Sequence, residues 1–187
     1  MANGKPSDVD EILERAKALN FTMSCDQETG ELLRSLACSK RGGLLLELGT
    51  GAGVSTAWIL EGMDHSSRLI SVEMSAELQN IAKSCMQDER VEFVTADGGV
   101  FIEENKDLKF DLIFADTWPG KYYLLEETLA MVKPGGYYII DDLIPVDTWE
   151  EGHEEKANQL INTMKSLEDF HIVQLNWSTG LIVATRK

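Results

Sequence analysis

The fold of this chain is decided by a short stretch, residues 44–53, which reads LLLELGTGAG. Its first half, Leu44 to Leu48, is an apolar run that is typical of a strand buried on both faces of a parallel sheet. The glycines that follow let the chain turn tightly and let a ligand approach the backbone. A helix through Ser55 and Trp58 is predicted next, and its first amide groups are available to that ligand.

On both sides of this stretch, short apolar runs alternate with helical segments, as in strand-helix-strand units of a mostly parallel sheet. Strands are predicted at Leu44–Leu48, Leu69–Glu73, Val91–Thr95, Asp111–Ala115, Tyr137–Ile140, His171–Leu175 and Leu181–Thr185. The last two are close enough in sequence to pair as a hairpin. The pattern predicts an α/β fold with a Rossmann-like sheet and helices on both faces.

The predicted helices are recognised by apolar residues at helical spacing and by residues that cap or stop them. They comprise Val9 to Leu19 behind Ser7, a helix capped by Asp26 and stopped by Gly42 and Gly43, Ser75 to Cys85 with Ser75 as N-cap, Tyr122 to Val132 before Lys133-Pro134-Gly135-Gly136, and a polar helix containing Leu160, Ile161, Met164 and Leu167. We expect one domain, residues 1–187, in which helices of residues 1–40 cover the site.

Composition limits the classes of function. The 187 residues carry a net charge of −15, which repels nucleic acid and favours a small or cationic ligand. No apolar stretch reaches the roughly 18–20 residues that span a bilayer, so we expect a cytoplasmic protein without membrane attachment. The three cysteines, Cys25, Cys38 and Cys85, are too widely spaced for a zinc site and are expected to be reduced.

The glycine turn and two acidic strand ends indicate which ligand binds. Val54 stands where a dinucleotide fingerprint requires a small residue. Glu47, placed at the mouth of the first strand, would repel a pyrophosphate but attract the ammonium and sulfonium groups of S-adenosylmethionine. Glu73 ends the second strand, where a carboxylate can accept hydrogen bonds from ribose hydroxyls. Asp97 is placed for the adenine amino group, and Met74 for the adenine face.

Further acidic residues follow the next two strands of the predicted sheet. Asp116 follows one strand, and Asp141 and Asp142 follow the other, so their carboxylates are expected to converge. Clustered carboxylates repel one another unless a cation lies among them, and oxygen ligands suit Mg²⁺, Mn²⁺ or Ca²⁺. A divalent ion is predicted there; the alternative is that the pair only caps its strand.

The chain resembles the class I S-adenosylmethionine-dependent methyltransferases, and most of all the small-molecule O-methyltransferases of the catechol and caffeoyl-CoA type. The motifs that carry the resemblance are ELGTG with GVS at residues 47–55, Val72-Glu73, and Lys133-Pro134-Gly135-Gly136 leading to Asp141-Asp142. The resemblance implies a seven-stranded sheet with an antiparallel last strand. It also implies that Ser55 holds the methionine carboxylate, Glu73 the ribose and Asp97 the adenine end. The predicted cofactor set is Glu47, Gly49, Thr50, Gly51, Gly53, Ser55, Glu73, Met74, Asp97 and Asp116.

The same resemblance implies a reaction: transfer of a methyl group to a hydroxyl of a small-molecule acceptor, with Asp116 and Lys121 as catalytic residues. The metal-dependent relatives have Asp, then Asp-Asn, as ligands, whereas this chain has Asp142 in place of the asparagine. They often carry a lysine three residues after the first aspartate; Pro119 stands there, and Lys121 is the nearest substitute as a base. Trp118 resembles an aromatic residue that lines the substrate mouth.

Alternative functions are a metal-independent small-molecule methyltransferase, a non-catalytic S-adenosylmethionine-binding protein and a nicotinamide-dependent oxidoreductase. A nucleic-acid amino-methyltransferase is disfavoured because the sequence after the fourth strand is Asp116-Thr117-Trp118-Pro119, not an Asn/Asp-Pro-Pro-aromatic loop. His65, His153 and His171 show no ligand spacing and are assigned no chemistry. A homodimer is a possible assembly.

Overall fold

Seven strands form one sheet in the computed structural model, which describes residues 4–146 and 149–187. They are β1 (Leu44–Leu48), β2 (Arg68–Glu73), β3 (Val91–Thr95), β4 (Phe110–Ala115), β5 (Val132–Ile140), β6 (Phe170–Leu175) and β7 (Leu181–Arg186). Their order across the sheet is β3-β2-β1-β4-β5-β7-β6. Neighbours from β3 to β5 pair in parallel, and β7 pairs antiparallel with both β5 and β6. The predicted mostly parallel sheet with an antiparallel last strand is confirmed.

Helices cover both faces of this sheet. They are α1 (Val9–Ala18), α2 (Gln27–Cys38), α3 (Val54–Gly62), α4 (Ala76–Cys85), α5 (Gly98–Glu104), α6 (Leu125–Ala130) and α7 (His153–Ser166). One apolar core lies between the sheet and helices α1 to α4, and a second lies between the sheet and helices α5 to α7. The strand order reverses direction beside β1, so the carboxyl ends of β1 and β4 border the crevice in which such sheets bind ligands.

On the face of the sheet that helices α1 to α4 cover, close packing depends on one small residue. A Cβ atom on Gly30 of α2 would come within 2.4 Å of the indole of Trp58 on α3. Trp58 is 1% exposed and is among the largest buried side chains. Glycine at residue 30 therefore lets α2 lie against α3, and this contact holds α3 beneath the turn that joins it to β1.

Five of the seven predicted strands differ from the structure only at their ends, and the two others match it. The caps Asp26 and Ser75 are also confirmed, because their side chains accept hydrogen bonds from the amides of Thr29 and Leu78. Ser7 as a cap is wrong. Its hydroxyl donates to Asp8 at 2.9 Å, and Asp8 is the residue that precedes α1.

The predicted helix from Tyr122 to Val132 is also wrong in extent. Leu124 has a φ of 56°, a left-handed conformation that a helix cannot include, so α6 begins only at Leu125. At the other end, residues 133–136 lie within β5, where the pairing with β4 is irregular after Phe110. The glycines of that motif make a bulge at the start of a strand instead of a stop after a helix.

The two N-terminal helices pack against other helices of the protein. Helix α1 packs against α4 and α3, and α2 packs against α3. The segment between them, from Phe21 to Cys25, borders the site described below. Residues 1–3 of the predicted N-terminal region lie outside the described residues. Across residues 4–146 and 149–187, no helix combines the length and hydrophobicity needed to cross a bilayer.

Candidate active site

A large cavity of about 1090 Å³ opens at the carboxyl ends of the parallel strands. The residues that follow β1, β2, β3, β4 and β5 all contribute to its wall. Of the predicted site residues, Gly49, Thr50, Gly51, Ser55, Glu73, Met74, Asp97, Asp116, Trp118, Lys121, Asp141 and Asp142 line it. One cavity therefore includes both the residues predicted for the cofactor and those predicted for the reaction.

The glycine turn after β1 has a backbone that other residues rarely adopt. Gly49, Gly51 and Gly53 have φ angles of 103°, 51° and 107°. A Cβ on Gly49 would meet the carbonyl oxygen of Asp116 at 2.7 Å, and one on Gly53 would meet the Cβ of Ala82 at 2.7 Å. Gly53 does not line the cavity itself; it brings α3 close to α4. The turn thus needs glycine for both conformation and space.

Glu73 joins the end of β2 to the glycine turn. Its Oε2 accepts a hydrogen bond from the Gly51 amide at 2.9 Å, and its Oε1 accepts one from the Ser75 amide at 2.8 Å. These bonds fix the carboxylate at the cavity wall. A carboxylate has about four acceptor positions, so Glu73 can still accept bonds from the two hydroxyls of a ribose.

Asp97 and Met74 lie at one end of the cavity. Asp97 caps α5, and its Oδ1 accepts from the amides of both Gly99 and Val100, at 2.8 and 3.1 Å. The second oxygen of the carboxylate remains available for an amino group of a ligand. Met74 is 74% exposed and lines the cavity, so it offers an apolar surface to a ligand ring.

Glu47 lies below the glycine turn, not at the cavity wall. The residue is fully buried, and its Oε2 accepts from the hydroxyls of Thr56 and Ser71, each at 2.5 Å. Burial raises the pKa of Glu47, although these hydroxyls and that of Ser55 oppose the shift. Within the described residues its Oε1 has no hydrogen-bond partner. The prediction that Glu47 faces the ligand at the strand mouth is therefore wrong.

The hydroxyl residues of the turn connect this buried carboxylate to the cavity. Thr50 Oγ1 lies 2.6 Å from Ser71 Oγ, and Ser71 in turn donates to Glu47. Ser55 is 5% exposed and stands in the first turn of α3, where it borders the cavity. Glu47 thus supports the residues that would touch a ligand.

The three predicted acidic residues face the same part of the cavity. Burial, and then the charge of Asp142, raise the pKa of Asp116 well above its ordinary value. Burial also raises the pKa of Asp141 to about 6, against the hydrogen bond from Thr179. These shifts indicate that the carboxylates repel one another, as expected from their sequence positions.

Other contacts determine how the two C-terminal aspartates are held. Asp141 Oδ1 accepts from the amide of Asp142 at 2.8 Å and from the hydroxyl of Thr179. Next to Thr179, Ser178 donates to Asp26 at 2.5 Å, so this turn also contacts the N-terminus of α2. Asp142 has a φ of 59°, a conformation that asparagine and aspartate tolerate better than most residues.

The ammonium of Lys121 is the cation that faces this acidic group. Lys121 is 4% exposed, and its Nζ donates to the backbone carbonyl of Asp141 at 2.7 Å. Its charge lowers the pKa of both Asp116 and Asp141 in opposition to burial. A lysine inserted two residues later than in the resembling enzymes therefore still reaches the acidic end of the cavity.

Aromatic residues complete the wall beside Lys121. Trp118 is 44% exposed and lines the cavity, together with Tyr122, Trp149 and His153. The sequence pattern did not indicate the last three as site residues. His153 in particular begins α7, and spacing along the sequence gives no sign that it lies opposite Tyr122. Aromatic residues recur in the loops after β4 and β5, and this recurrence was the signal in the sequence that could have indicated them.

The strand order of this sheet and the glycine turn after β1 are typical of α/β proteins that bind nucleotide-like ligands. The carboxylate after β2, which can accept hydrogen bonds from a ribose, fits the same class. A family profile described as "Methyltransferase domain" matches residues 46–143, more than half of the chain. This chain therefore belongs to the methyltransferase domain family.

Curated relatives carry names of the same kind. A protein of Mycolicibacterium vanbaalenii named "Putative O-methyltransferase" is 29% identical over 117 residues, which cover 59% of this chain and 52% of that protein. One from Mycobacterium sp. strain JLS, with the same name, is 29% identical over 117 residues, covering 59% and 53%. The match thus spans about half the length of these relatives.

Solved structures share the fold over nearly the whole chain. An O-methyltransferase from Bacillus cereus, solved in complex with SAH, superposes with a TM-score of 0.85 at 23% identity, covering 98% of this chain and 92% of that one. The O-methyltransferase TomG from Streptomyces achromogenes, in complex with SAM, gives a TM-score of 0.82 at 17% identity, covering 98% and 91%. At these identities the comparison establishes the shared fold.

Proposed function

We propose that this protein transfers a methyl group from S-adenosylmethionine to a hydroxyl of a small-molecule acceptor. The observation that carries the proposal is the continuity of one cavity, which runs from Glu73 and Asp97 to Asp116 and Lys121. A donor bound at the first end presents its methyl group to an acceptor at the second. Names of the relatives and neighbours, which are O-methyltransferases, support the same reaction.

Each end of the methyl donor has a matching group in the wall. Asp97 and Met74 suit the adenine, Glu73 suits the ribose, and Ser55 with the first amides of α3 suits the methionine carboxylate. Asp116 follows β4 beside the glycine turn, since the Asp116 amide donates to the Leu48 carbonyl at 2.9 Å. In this assignment its negative charge favours the ammonium and sulfonium groups of the donor.

The predicted divalent ion fits these residues poorly. Within residues 4–146 and 149–187, no group of three or more His, Cys, Asp and Glu side chains is arranged to hold a metal ion. Asp141 directs Oδ1 at the Asp142 amide and the Thr179 hydroxyl, and Lys121 already supplies a cation to the cluster. We therefore favour the metal-independent form of the reaction.

The residues of this chain can favour methyl transfer by position and charge. As the acceptor oxygen attacks the methyl carbon, the bond between that carbon and sulfur breaks and the sulfonium becomes a neutral thioether. The protein mainly holds the two reactants in line. The buried ammonium of Lys121 is placed to stabilise the acceptor oxygen while it is anionic, and in a low-dielectric cavity that interaction is strong.

Calorimetry with S-adenosylhomocysteine, NAD and buffer tests the donor site. We expect S-adenosylhomocysteine to bind. NAD should give no measurable heat, because the cavity wall carries carboxylates that repel a pyrophosphate. Transfer of a labelled methyl group from S-adenosylmethionine to a panel of phenols and catechols, with and without EDTA, then tests the reaction. Tight binding of NAD alone would refute the proposal, and binding without transfer to any acceptor would favour a non-catalytic binding protein.

Several sequence predictions are not tested by these residues. The cytoplasmic location, the possible homodimer and the role of residues 1–40 as a cover for the site stay predictions. The proposed acceptor is a small molecule, in agreement with the charge of −15 and with the cavity volume of about 1090 Å³.

A further inference from the structure

A histidine that plays no part in the predictions above lies in the wall of the acceptor end. His153 comes from the start of α7, and the aromatic rings around it come from two different segments. Its ring stacks on that of Trp149, with centroids 4.1 Å apart and an interplanar angle of 18°. The ring of Trp118 lies 5.8 Å away at 49°. These contacts hold the imidazole in one orientation beside the cavity.

A hydrogen bond fixes the imidazole further. Tyr122 Oη lies 2.9 Å from His153 Nε2, and the two rings meet edge to face with centroids 5.4 Å apart. Burial, followed by the charge of Asp142, raises the pKa of Tyr122 to about 12, so its phenol stays neutral at neutral pH. The pair is then a neutral phenol beside an imidazole, and the bond can relay or steady a proton on the ring.

The surroundings keep this imidazole uncharged. Burial is the largest influence that lowers the pKa of His153, and the charge of Lys121 is the next. The remaining charged groups that act on it are Asp142, Lys156 and Glu150, of which the two acids oppose the shift. In the tautomer whose Nε2–H donates to Tyr122 Oη, the lone pair on Nδ1 is free and can accept a proton.

Methyl transfer to a hydroxyl needs such a group. The acceptor loses its proton as it attacks, and the ammonium of Lys121 has no lone pair to take it. Asp116 and Asp141 are committed to the acidic cluster, and Asp141 is already hydrogen bonded by Thr179. Among the residues that line the acceptor end, His153 combines a basic atom with a rigid support.

We propose that His153 is the general base of the reaction and that Tyr122 is its positioning residue. The inference rests on the proposed methyl transfer. The acceptor O–H bond breaks and its proton moves to the imidazole, an O–CH₃ bond forms, and the S–CH₃ bond breaks. The products are the methyl ether and S-adenosylhomocysteine, and the imidazolium returns the proton to water. Lys121 stabilises the oxyanion in the same step.

If His153 only supports the cavity wall, its replacement should slow transfer to all acceptors equally. If it is the base, the loss should depend on the acidity of the acceptor. The test compares His153→Gln with the wild type, using 4-methylphenol and the more acidic 4-nitrophenol as acceptors. We expect kcat to fall about 100-fold with 4-methylphenol. With 4-nitrophenol, which is largely ionised before it binds, we expect a fall of less than about fivefold. For Tyr122→Phe we expect a smaller fall in kcat, of about tenfold, with 4-methylphenol and again little change with 4-nitrophenol.

The matched control is His171→Gln, which changes an exposed histidine of β6 outside the cavity wall. It should leave both rates unchanged. Circular dichroism and S-adenosylhomocysteine calorimetry on every variant show whether fold and donor site are intact. Failure of the wild type to bind S-adenosylhomocysteine would refute the proposed function, whereas intact binding with an unaffected His153→Gln rate would refute the base alone.

The pH profiles of the wild type and of His153→Gln provide a second test. Because the base must be neutral and its pKa is lowered, kcat/KM should decrease only at a pH below the ordinary range of a free imidazole, and this acid limb should be absent in His153→Gln. A limb that persists in the variant would belong to another group, such as Asp141, and would overturn the proposal. An equal rate loss for both phenols, or intact donor binding with no transfer to either phenol, would overturn it too.

Discussion

The two ends of the cavity are built in different ways. The donor end consists of residues that directly follow β1, β2 and β3, and its polar groups bond to the backbone of neighbouring turns. The acceptor end combines loops after β4 and β5, the start of α7 and the turn between β6 and β7. The donor end is thus formed by residues close to the strand ends and by their bonds to neighbouring turns. The acceptor end is formed by contacts between residues that are distant in sequence.

This difference predicts which changes separate binding from turnover. A substitution at the donor end should weaken the affinity for S-adenosylhomocysteine, and one at the acceptor end should slow the reaction while that affinity stays the same. Each of the following variants tests this division at one position.

Gly53→Ala should have the largest effect. The added Cβ would lie 2.7 Å from the Cβ of Ala82 at a φ of 107°, so α3 must move away from α4. We expect the affinity for S-adenosylhomocysteine to fall at least about 100-fold and the unfolding free energy to drop by about 1–3 kcal/mol. Calorimetry and denaturant unfolding measure the two quantities.

Gly135→Ala is the matched control for that variant. Gly135 also has a positive φ, of 75°, but no atom lies within 4 Å of the position of its Cβ. It should lose stability through strain alone and keep its affinity. Equal affinity losses in both variants would mean that the glycine turn does not shape the donor end.

Lys121→Met should affect the acceptor end alone. The change removes the ammonium while keeping a flexible apolar chain of similar length, so the anionic acceptor loses its counter-charge. We expect kcat to decrease about 100-fold with little change in the Kd of S-adenosylhomocysteine. The control is Lys109→Met, because Lys109 also donates to a backbone carbonyl, that of Ala130, but is exposed and lies outside the cavity. A large loss of affinity in Lys121→Met would contradict the division.

Glu73→Gln should weaken donor binding moderately. Glutamine keeps an acceptor for only one of the amides of Gly51 and Ser75, and it loses the negative charge that ribose hydroxyls favour. The expected result is a rise of about tenfold in the Kd of S-adenosylhomocysteine, measured by calorimetry, with kcat at saturation close to that of the wild type. Glu77→Gln, in the exposed first turn of α4, should leave Kd unchanged.

Asp142→Asn should have the smallest effect, and its sign is the informative part. The charge of Asp142 raises the pKa of Asp116 and Asp141, whose ionised forms are therefore destabilised in the folded state. For a carboxyl with a raised pKa, the stability it contributes is present below the unfolded pKa, near 4, and is lost as pH rises through the folded pKa.

Asparagine removes this repulsion and tolerates the left-handed backbone at φ 59°. We expect the melting temperature to increase by about 1–3 °C at neutral pH, with the gain shrinking toward about pH 4. Thermal unfolding at several pH values checks this. Destabilisation at neutral pH would mean that Asp142 makes a favourable contact and that the acidic cluster is not strained.

The sequence predicted the donor end better than the acceptor end for a physical reason. Strand ends, caps and glycine turns depend on a few neighbouring residues, so Glu73, Asp97 and the glycines could be placed from pattern alone. Glu47 was misplaced because a pattern locates a strand end but not which side of the strand faces the ligand. Its burial follows from the hydroxyls of Thr56 and Ser71, which no local signal pairs with it.

The acceptor end depends on tertiary contacts that sequence spacing does not contain. The helix expected from Tyr122 begins later because Leu124 adopts a left-handed conformation, and this leaves Lys121 and Tyr122 in a loop beside the cavity. His153 gained its role only when α7 brought it to Tyr122, 31 residues earlier in the chain. Neither position could be derived without the fold.

The turn between β6 and β7 has a consequence for biosynthesis. Through Ser178 it bonds to Asp26 near the start of the chain, and through Thr179 to Asp141 at the end of β5. Every strand of the donor end leaves the ribosome before this turn is made. A nascent chain can therefore assemble its nucleotide pocket early, but the acceptor pocket is completed only after translation of the final hairpin.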